Sequence, residues 1–565
     1  MKITGAEAIV KCLEEQGVEV IFGFPGGVII DLFDELEQSS ITNVLVRHEQ
    51  AAVHAADAYG RVRGDVGVAL VTSGPGATNT VTGIASAFCD SIPMVVFTGQ
   101  VPTGLIGNDA FQEVDIIGIT RPCTKHNYLV KNAEDLVPTI REAFHIARTG
   151  RPGPVLIDLP KDIVIGKLNF TEPKPIKMQS YRPTYEPHPG QIAKACKAIL
   201  KAKKPVIYAG GGVIASNSNK ELTELAKKLN IPVTMTLMGL GAFPGTDKQS
   251  LGMLGMHGTY FSNMAVSQCD LLIAVGSRFD DRVTGKIDEF APYAKIIHID
   301  IDPTSISKNV TVDIPIVADC KHALTAMNRW FDVQDDFDKK EQKKQVAPWL
   351  KEISEWVKKH PLGYVDEGDI IKPQYVVQKL HELTKGNAII STEVGQNQMW
   401  AAQFYHFNKP RHFLTSGGLG VMGYGFPAAI GAQMAAPNKT VIDVAGDGSI
   451  QMNIQELATA MQYKCPVKIA ILNNGYLGMV RQWQELFYDK RYAGTDLEVS
   501  PDFVKLAEAY GAVGLRAKKT SEVVPVIKEA LKTKNTVVMD FVIAREEGVF
   551  PMVPAGKATT EMLLA

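Results

Sequence analysis

Two short polar motifs follow two consecutive β-branched runs near the end of the chain. Gly446-Asp447-Gly448-Ser449 follows the first run, and Asn473-Asn474 follows the second. Residues 454–461 between them have the pattern of a crossover helix, which predicts one βαβ unit with Asp447 and Asn474 at neighbouring strand ends. A carboxylate and an amide oxygen suit Mg²⁺, which completes its coordination with phosphate oxygens. The spacing therefore predicts a site for magnesium and a phosphate-bearing ligand.

Either motif alone is more typical of a turn between strands, because Asp-Gly and Asn pairs commonly end secondary-structure elements. Their combined spacing in one βαβ unit favours the interpretation as ligands. Gly448 and Ser449 are then expected to open the next helix, where backbone N–H groups donate to a phosphate.

Short apolar runs alternate with helical patterns along the whole chain, which indicates parallel sheets crossed by helices. A proline-rich stretch between Lys167 and Gly190 and a charged stretch from Asp332 to His360 divide it. We therefore predict an α/β protein of three doubly wound parallel-sheet domains, over residues 1–170, 190–335 and 365–565. Buried strands are expected at 66–71, 93–97, 205–209, 271–275, 295–299, 440–444 and 467–472.

Composition excludes several classes of protein. A length of 565 residues is enough for about three or four domains. The 59 basic and 61 acidic residues leave a net charge of −2, so no nucleic-acid partner is expected. Seven scattered cysteines form no Cys-x-x-Cys pair, as in a reduced, cytoplasmic protein. No apolar stretch reaches the length of a membrane span and no signal peptide is apparent, so we expect no membrane association.

The Gly-Asp-Gly motif, followed some thirty residues later by Asn-Asn, resembles the signature of thiamine diphosphate enzymes. Over essentially the whole chain the sequence is similar to the catalytic subunits of the acetohydroxyacid synthase (acetolactate synthase) family. This resemblance implies a pyrimidine-binding domain, a central flavin-binding domain and a diphosphate-binding domain, in that order. It is carried by the segments 22–27, 72–79, 109–113, 151–155, 276–282 and 550–556.

The resemblance implies an enzyme that decarboxylates pyruvate and joins the product to a second pyruvate or to 2-oxobutanoate. The resulting acetolactate or acetohydroxybutyrate leads to valine, leucine and isoleucine. The implied cofactors are thiamine diphosphate, Mg²⁺ and FAD, and the implied assembly is a homodimer or homotetramer, commonly with a small regulatory subunit. The alternatives are a flavin-independent catabolic acetolactate synthase, another thiamine diphosphate-dependent 2-oxoacid carboligase, and a catalytically silent protein with the same fold.

The resemblance also implies the residues that bind thiamine diphosphate. Glu49, at the start of an alanine-rich helix, would be the acid beside the pyrimidine ring, although an acid there also complements the helix dipole. Met422 would wedge between the two rings, although a methionine is more often core filling. The implied metal ligands are Asp447, Asn474 and the main-chain oxygen of Tyr476. Further contacts are expected from Val394, Gly395, Gln396, Asn397, Gly420, Gly446, Gly448 and Ser449.

Two features of this region need an interpretation of their own. Many relatives have His where this chain has Asn397, which donates hydrogen bonds but carries no charge, so altered cofactor affinity is expected. The segment Gly418-x-Gly420-x-x-Gly423 matches the dinucleotide fingerprint. Because residues 413–416 before it hardly form a strand, we interpret it as part of the thiamine site instead.

For the substrates, the resemblance singles out Arg282, whose guanidinium matches the carboxylate of the second 2-oxoacid. An ion pair with Asp280 or Asp281 is the alternative. Trp483 would form a pocket wall that favours the larger acceptor, unless it is a plain core residue. Gln112 is the fourth implied catalytic residue, and Gly27, Phe111 and Lys161 are expected around the substrate channel.

The implied flavin contacts lie mostly in the central domain. Glycine turns at strand ends would explain several of them equally well without any ligand. The residues concerned are Arg151, Gly211, Gly212, Met256, His257, Gly258, Arg278, Asp300 and Asp319.

Overall fold

The computed structural model describes residues 2–170, 175–176, 178–334 and 337–564. It arranges them around three six-stranded parallel sheets, which confirms the predicted fold class. All seven predicted strands are present, with ends shifted by three residues or fewer. Residues 171–174 and 177 of the proline-rich connector, and the domain limits at residues 1, 335 and 565, lie outside the described residues.

The first sheet contains β2 (Val20–Phe24), β3 (Thr42–Leu45), β4 (Gly67–Val71), β5 (Met94–Gln100), β6 (His126–Leu129) and β7 (Pro154–Pro160), in the spatial order β3-β2-β4-β5-β7-β6. Outside it, β1 (Lys2–Thr4) pairs antiparallel with β8 (Lys167–Asn169), so the two ends of this domain meet. Its helices are α1 (Gly5–Glu15), α2 (Ile30–Glu37), α3 (Glu49–Arg63), α4 (Pro75–Thr78), α5 (Val81–Asp90), α6 (Ile116–Thr120), α7 (Ala133–Arg148) and α8 (Lys161–Ile165).

The middle sheet has the order β11-β10-β9-β12-β13-β14, built from β9 (Pro205–Ala209), β10 (Val233–Met235), β11 (Ser250–Met253), β12 (Leu271–Val275), β13 (Lys295–Asp300) and β14 (Ile314–Val317). The order reverses between β9 and β12, and such a reversal opens a crevice for ligands at the carboxyl ends of the strands. Its helices are α9 (Pro189–Lys201), α10 (Gly211–Ala215), α11 (Asn219–Leu229), α12 (Tyr260–Gln268), α13 (Asp281–Thr284), α14 (Cys320–Asp332) and α15 (Lys339–Lys359).

Helix α15 covers most of the charged stretch that the sequence placed between two domains. The Trp349 indole N–H donates to the carbonyl of Pro205 at 3.2 Å, and the Gln345 amide donates to the carbonyl of Leu200 at 3.0 Å. The charged stretch is therefore helical, and its contacts with the middle domain continue well past residue 335.

The third sheet contains β15 (Ile389–Thr392), β16 (Phe413–Leu414), β17 (Val441–Gly446), β18 (Lys468–Asn473), β19 (Val513–Ala517) and β20 (Val537–Val542), in the order β16-β15-β17-β18-β20-β19. Its helices are α16 (Pro373–Thr384), α17 (Gln396–Phe404), α18 (Gly425–Ala435), α19 (Asp447–Ile450), α20 (Leu457–Gln462), α21 (Gly478–Phe487), α22 (Phe503–Ala509) and α23 (Thr520–Lys532). Residues 413–414 do form a short edge strand, which corrects the expectation that no strand precedes the glycine-rich segment.

The first and third sheets have the same strand order when each is numbered from its own first strand. The corresponding helices α3 and α18 pack directly against each other. At their crossing a Cβ added to Gly431 would lie 2.0 Å from the carbonyl oxygen of Ala55, so only glycine permits this approach.

The buried apolar side chains of the middle and third domains also form one continuous cluster. None of the helices in the described part of the chain has the length and apolarity needed to cross a membrane.

Candidate active site

A pocket lies at the carboxyl ends of β15, β17 and β18, where the strand order of the third sheet reverses. It encloses about 450 Å³, including its open mouth. Gly420 lies beside it, because a Cβ there would be 3.9 Å from a methyl carbon of Val394. The other predicted thiamine and metal residues of this domain all line the pocket, namely Val394, Gly395, Gln396, Asn397, Met422, Gly446, Asp447, Gly448, Ser449, Asn474 and Tyr476.

Asp447 carries an unsatisfied oxygen into this pocket. Its side chain is buried, Oδ1 accepts a hydrogen bond from the Asn474 N–H at 3.4 Å, and Oδ2 has no partner in the described residues. Burial raises the pKa of Asp447 to about 6. A buried carboxylate oxygen without a partner is costly, so the arrangement fits a bound cation. No group of three His, Cys, Asp or Glu side chains in the described ranges could hold a metal ion, but a single carboxylate with neutral oxygens is sufficient for magnesium held by a phosphate-bearing ligand.

Asn474 is oriented by hydrogen bonds on both sides of its amide. Its Oδ1 accepts from the Tyr476 N–H at 3.1 Å, and its Nδ2 donates to Gln396 Oε1 at 3.3 Å. Gln396 in turn donates to Gln482 Oε1 at 2.9 Å and to the carbonyl of Glu547 at 3.0 Å. This chain of amides fixes the Asn474 side chain next to Asp447.

Asn397 uses both amide hydrogens within the protein. Nδ2 donates to the carbonyls of Glu393 at 3.0 Å and Val444 at 2.8 Å. A Cβ added to Gly446 would be 3.3 Å from Asn397 Oδ1, so it is the oxygen that lies toward the pocket. In this orientation Asn397 presents an acceptor, whereas the sequence predicts a donor.

Glu393 anchors the end of the glycine-rich segment that carries Met422. Its two carboxylate oxygens accept from the N–H groups of Gly423 at 2.6 Å and Phe426 at 3.0 Å. Burial raises the pKa of Glu393 to about 7. Met422 itself is half-buried at the pocket wall.

The predicted residues of the first domain gather at the carboxyl edge of its own sheet. Glu49 is the first residue of α3, and its Oε2 accepts from Asn79 Nδ2 at 2.9 Å. Gln112 has φ +59° and packs so closely on Gly74 that a Cβ there would be 2.9 Å from the Gln112 Cβ. Lys161 Nζ donates to the carbonyl of Gly27 at 3.4 Å.

This first-domain group is separate from the pocket of the third domain. Phe111 is 88% exposed. No first-domain residue is among the described pocket walls, so one chain does not join Glu49 to Asp447 in a single pocket.

Arg282 and Trp483 meet although they come from different domains. The guanidinium carbon lies 5.9 Å from the centre of the indole ring. The Arg282 side chain is 59% exposed, and its Nε lies 3.9 Å from Asp281 Oδ2. Because this ion pair is long and exposed to water, it is weak, and the charge of Arg282 is available to a ligand. Trp483 lies on α21, which begins beside the thiamine pocket, and its indole N–H is buried without a partner in the described residues. Helix α21 therefore connects this pair with the wall of the predicted metal site.

The predicted flavin residues collect around the crevice of the middle sheet. A Cβ added to Gly212 would lie 2.6 Å from the Gly276 Cα, so the turns after β9 and β12 are in direct contact. Such a glycine cradle lets a ligand approach the backbone closely. Gly211, Gly212, Arg278, Asp300 and Asp319 all lie at or just after the carboxyl ends of neighbouring strands.

The remaining flavin candidates lie in the first domain and after the edge strand β11 of the middle sheet. Arg151 donates to Ser91 Oγ at 2.8 Å and pairs with Asp302 at 3.3 Å. The Met256–Gly258 segment follows β11, and the Met256 N–H donates to the carbonyl of Arg282 at 2.7 Å. His257 is buried, which lowers its pKa to about 4, and its Nδ1 has no partner in the described part of the chain. The glycine cradle and this unsatisfied nitrogen fit a large ligand.

Sequence reasoning missed a buried charged network beside the glycine-rich segment. Asp57, Arg61, Asp90 and Tyr424 are connected by ion pairs and hydrogen bonds, and Asp90 binds backbone N–H groups of residues 417 and 418. Asp57 and Arg61 are four positions apart on α3, but the contacts with Tyr424 and with residues 417 and 418 span more than 300 positions. Local spacing therefore could not have revealed the network.

Comparison with known proteins covers most of the chain. Models of thiamine pyrophosphate (thiamine diphosphate) enzymes match the N-terminal TPP-binding domain at residues 3–119, the central domain at 192–327 and the C-terminal TPP-binding domain at 393–541. The acetolactate synthase large subunit of Haemophilus influenzae is 50% identical over 100% of this chain and 98% of its own length. The acetolactate synthase isozyme 3 large subunit of Escherichia coli is 50% identical over 100% and 99%. Together these matches show that the chain belongs to the acetolactate synthase large-subunit family of thiamine pyrophosphate enzymes.

Proposed function

We propose that this chain decarboxylates pyruvate and joins the product to a second pyruvate or to 2-oxobutanoate, as an acetolactate synthase of branched-chain amino-acid biosynthesis. The observation that carries the proposal is the unpartnered Asp447 oxygen in a pocket with Asn474 and Tyr476, in a chain half identical to acetolactate synthase large subunits along its full length. The proposed cofactors are thiamine diphosphate, Mg²⁺ and FAD.

In this assignment Asp447, Asn474 and the Tyr476 carbonyl would hold Mg²⁺, and backbone N–H groups at the start of α19 would donate to the diphosphate. Bound thiamine diphosphate supplies a nucleophilic carbon and an electron sink for decarboxylation. Glu49 holds a proton at the edge of the pyrimidine site, where Asn79 fixes its carboxyl group. Met422 and Val394 shape the wall around the cofactor and exclude water from it.

Arg282 and Trp483 would select the second 2-oxoacid. The exposed guanidinium offers two parallel N–H donors to a carboxylate. The indole face 5.9 Å away limits the space for the acid's alkyl group and buries the extra methyl of 2-oxobutanoate. Gln112, Gly27, Phe111 and Lys161 are proposed to complete the channel from the first domain.

FAD is proposed to lie in the crevice of the middle sheet. The glycine turns after β9 and β12 admit its diphosphate close to the backbone, and Arg151 and Arg278 supply positive charge. Met256, His257, Gly258, Asp300 and Asp319 are proposed as further contacts. The proposed limits of the three domains are residues 1–170, 190–335 and 365–565.

A complete site needs a second copy of the chain, because Glu49 and Asp447 lie in separate half-sites. We therefore propose a homodimer as the minimum functional unit, with a homotetramer as a larger form. The words "large subunit" in the names of the relatives support a small regulatory partner for this chain as well. We also propose that the protein works in the cytoplasm.

The test is an assay of the purified chain with pyruvate, thiamine diphosphate and Mg²⁺, with and without FAD. We expect acetolactate that requires FAD, and mainly acetohydroxybutyrate when 2-oxobutanoate competes. The matched control is Asp447→Ala, which removes the metal carboxylate and should abolish product at every cofactor concentration.

Two results would change the assignment. Full activity in protein shown to be flavin-free would point to a catabolic acetolactate synthase. Absence of any carboligation, with thiamine diphosphate bound, would contradict the proposed reaction and leave another 2-oxoacid chemistry.

A further inference from the structure

The glycine-rich segment 417–423 is held at its beginning by a carboxylate from the first domain. The N–H groups of Gly417 and Gly418 donate to Asp90 Oδ2 at 3.0 Å and Oδ1 at 2.7 Å. Asp90 is the last residue of α5, and its side chain is fully buried. Two charge-assisted hydrogen bonds to one carboxylate fix the direction in which the backbone leaves the sheet.

Arg61 orients that carboxylate and connects the residues before and after the segment. Its guanidinium lies 3.2 Å from Asp90 and donates to the Thr415 carbonyl at 3.0 Å, just before the segment. It also pairs with Asp57 at 2.6 Å, and Asp57 accepts from the Tyr424 hydroxyl at 2.6 Å, just after the segment. All five groups are buried or have buried side chains, where such bonds are strong and their loss is costly.

Between these anchors the middle of the segment reaches the surface, although Val421 is buried and its N–H donates to Ser416 Oγ at 3.1 Å. Leu419 is 45% exposed and Gly420 is exposed, whereas Met422 turns back to the pocket wall. Gly420 and Gly423 have φ of +76° and +88°, so the backbone conformation depends on glycine as well as on the anchors. The orientation of Met422 is therefore set by the anchors along the segment, and Asp90 holds its beginning.

We infer that Asp90 is a positioning residue that holds segment 417–423 in the form that presents Met422 to the pocket, and so raises the affinity for thiamine diphosphate without touching it. The inference rests on the proposed function only for the identity of that ligand. The hydrogen bonds of Asp90 to the segment stand without it.

Asp90 also lies close to the two arginines proposed for FAD. The next residue, Ser91, accepts from Arg151 at 2.8 Å. A Cβ added to Gly418 would be 3.0 Å from Asp90 Oδ1 and 3.3 Å from Arg278 Nη2, so that carboxylate and that guanidinium flank the same glycine. Binding of FAD should therefore order the segment and tighten thiamine diphosphate binding, and by linkage the coupling should be reciprocal. This gives bound FAD a physical route to the thiamine site.

The experiment compares the wild-type chain with Asp90→Asn, without cofactors, by amide hydrogen exchange. We expect exchange about 10-fold faster in peptides that cover residues 416–423, with other peptides of the sheet unchanged. Calorimetric titration at saturating Mg²⁺ should give a thiamine diphosphate Kd about 10-fold weaker, which corresponds to about 1.4 kcal/mol. The control is Asp302→Asn, because Asp302 pairs with Arg151 at 3.3 Å but is not a hydrogen-bond partner of the segment. It should change neither quantity.

Unchanged exchange at 416–423 in folded Asp90→Asn protein, or an equal increase throughout the first domain, would overturn the inference. If Asp90→Asn does not fold, Tyr424→Phe removes only the hydroxyl at the far end of the network. It should speed exchange at 416–423 several-fold, and no change there would count against the inference in the same way.

A second arm adds FAD to flavin-free protein. We expect slower exchange at 416–423 and tighter thiamine diphosphate binding in the wild type, with neither effect in Asp90→Asn. If FAD failed to bind the wild type at all, the flavin assignment would be wrong, while the comparison without cofactors would still decide the role of Asp90.

Discussion

At the scale of single residues, two buried carboxyl groups lie behind the thiamine pocket. Glu393 and Asp443 are fully buried, and Asp443 Oδ2 has no hydrogen-bond partner in the described residues. Burial raises the pKa of Glu393 to about 7, and burial together with the charge of Glu393 raises the pKa of Asp443 well above its usual range. The folded protein thus binds more protons than the unfolded chain between about pH 4.5 and pH 7. Its stability should fall as the pH rises through that window.

Asp443→Asn should weaken this pH dependence. The substitution removes one of the two acids and its repulsion, and each proton of difference contributes at most about 1.4 kcal/mol per pH unit. We expect a smaller loss of melting temperature between pH 5 and pH 8 than in the wild type, measured on cofactor-free protein. Asp489→Asn is the control, because its side chain is 86% exposed. Parallel curves for the Asp443 variant and the wild type would contradict the raised pKa of Asp443 as a cause of the pH dependence.

The contact between Arg282 and Trp483 predicts that substitutions of the two residues have different effects on the products. Trp483→Leu opens the wall beside the guanidinium, so acetohydroxybutyrate should lose its advantage over acetolactate by about 10-fold, in line with 1–3 kcal/mol for a methylene in an apolar pocket. Arg282→Lys keeps the charge but loses the two-pronged geometry, so both products should decline together. Product ratios under competition measure this. Phe487→Leu, which removes a ring whose centre lies 6.2 Å from that of Trp483, should leave the ratio unchanged.

At the scale of elements, the close crossing of α3 and α18 joins the first and third domains. Gly431→Ala would place a methyl group 2.0 Å from the Ala55 carbonyl oxygen, so the helices must separate. We expect a loss of about 1–3 kcal/mol in the free energy of unfolding, as for other overpacked interfaces. Denaturant unfolding measures it, with Gly363→Ala as the control because nothing lies within 4 Å of its added Cβ. Equal stability of the two variants would show that the helix crossing accommodates an added methyl group without loss of stability.

The elements were also where sequence reasoning worked best. Alternating apolar runs predicted the strands β9 and β12 at their observed bounds, and the βαβ unit brought Asp447 and Asn474 to one pocket as expected. The helix predicted at 454–461 is a 3-10 turn followed by α20. Local patterns could not reveal the Asp90 network or the repulsion between the Glu393 and Asp443 carboxyl groups, because those interactions depend on chain segments that only the fold brings together.

At the scale of the whole molecule, the first and third domains share one strand order, and their equivalent helices α3 and α18 pack together. Each domain nevertheless keeps its own functional edge, with Glu49 on one and Asp447 on the other. A chain built in this way has two halves of a cofactor site that do not line one described pocket. The arrangement is typical of sites that are completed between subunits related by two-fold symmetry.

Mixing two inactive variants tests this arrangement directly. Glu49→Gln chains keep an intact Asp447 half, and Asp447→Ala chains keep an intact Glu49 half, so a mixed dimer would contain one fully intact site and one doubly altered site. Random reassortment should restore about a quarter of wild-type activity, because half of the dimers are mixed and half of their sites are intact. Acetolactate formation after co-refolding measures it, with each variant refolded alone as the control. Verified mixed dimers without activity would show that each site is built within one chain, because only then does every site contain an altered residue.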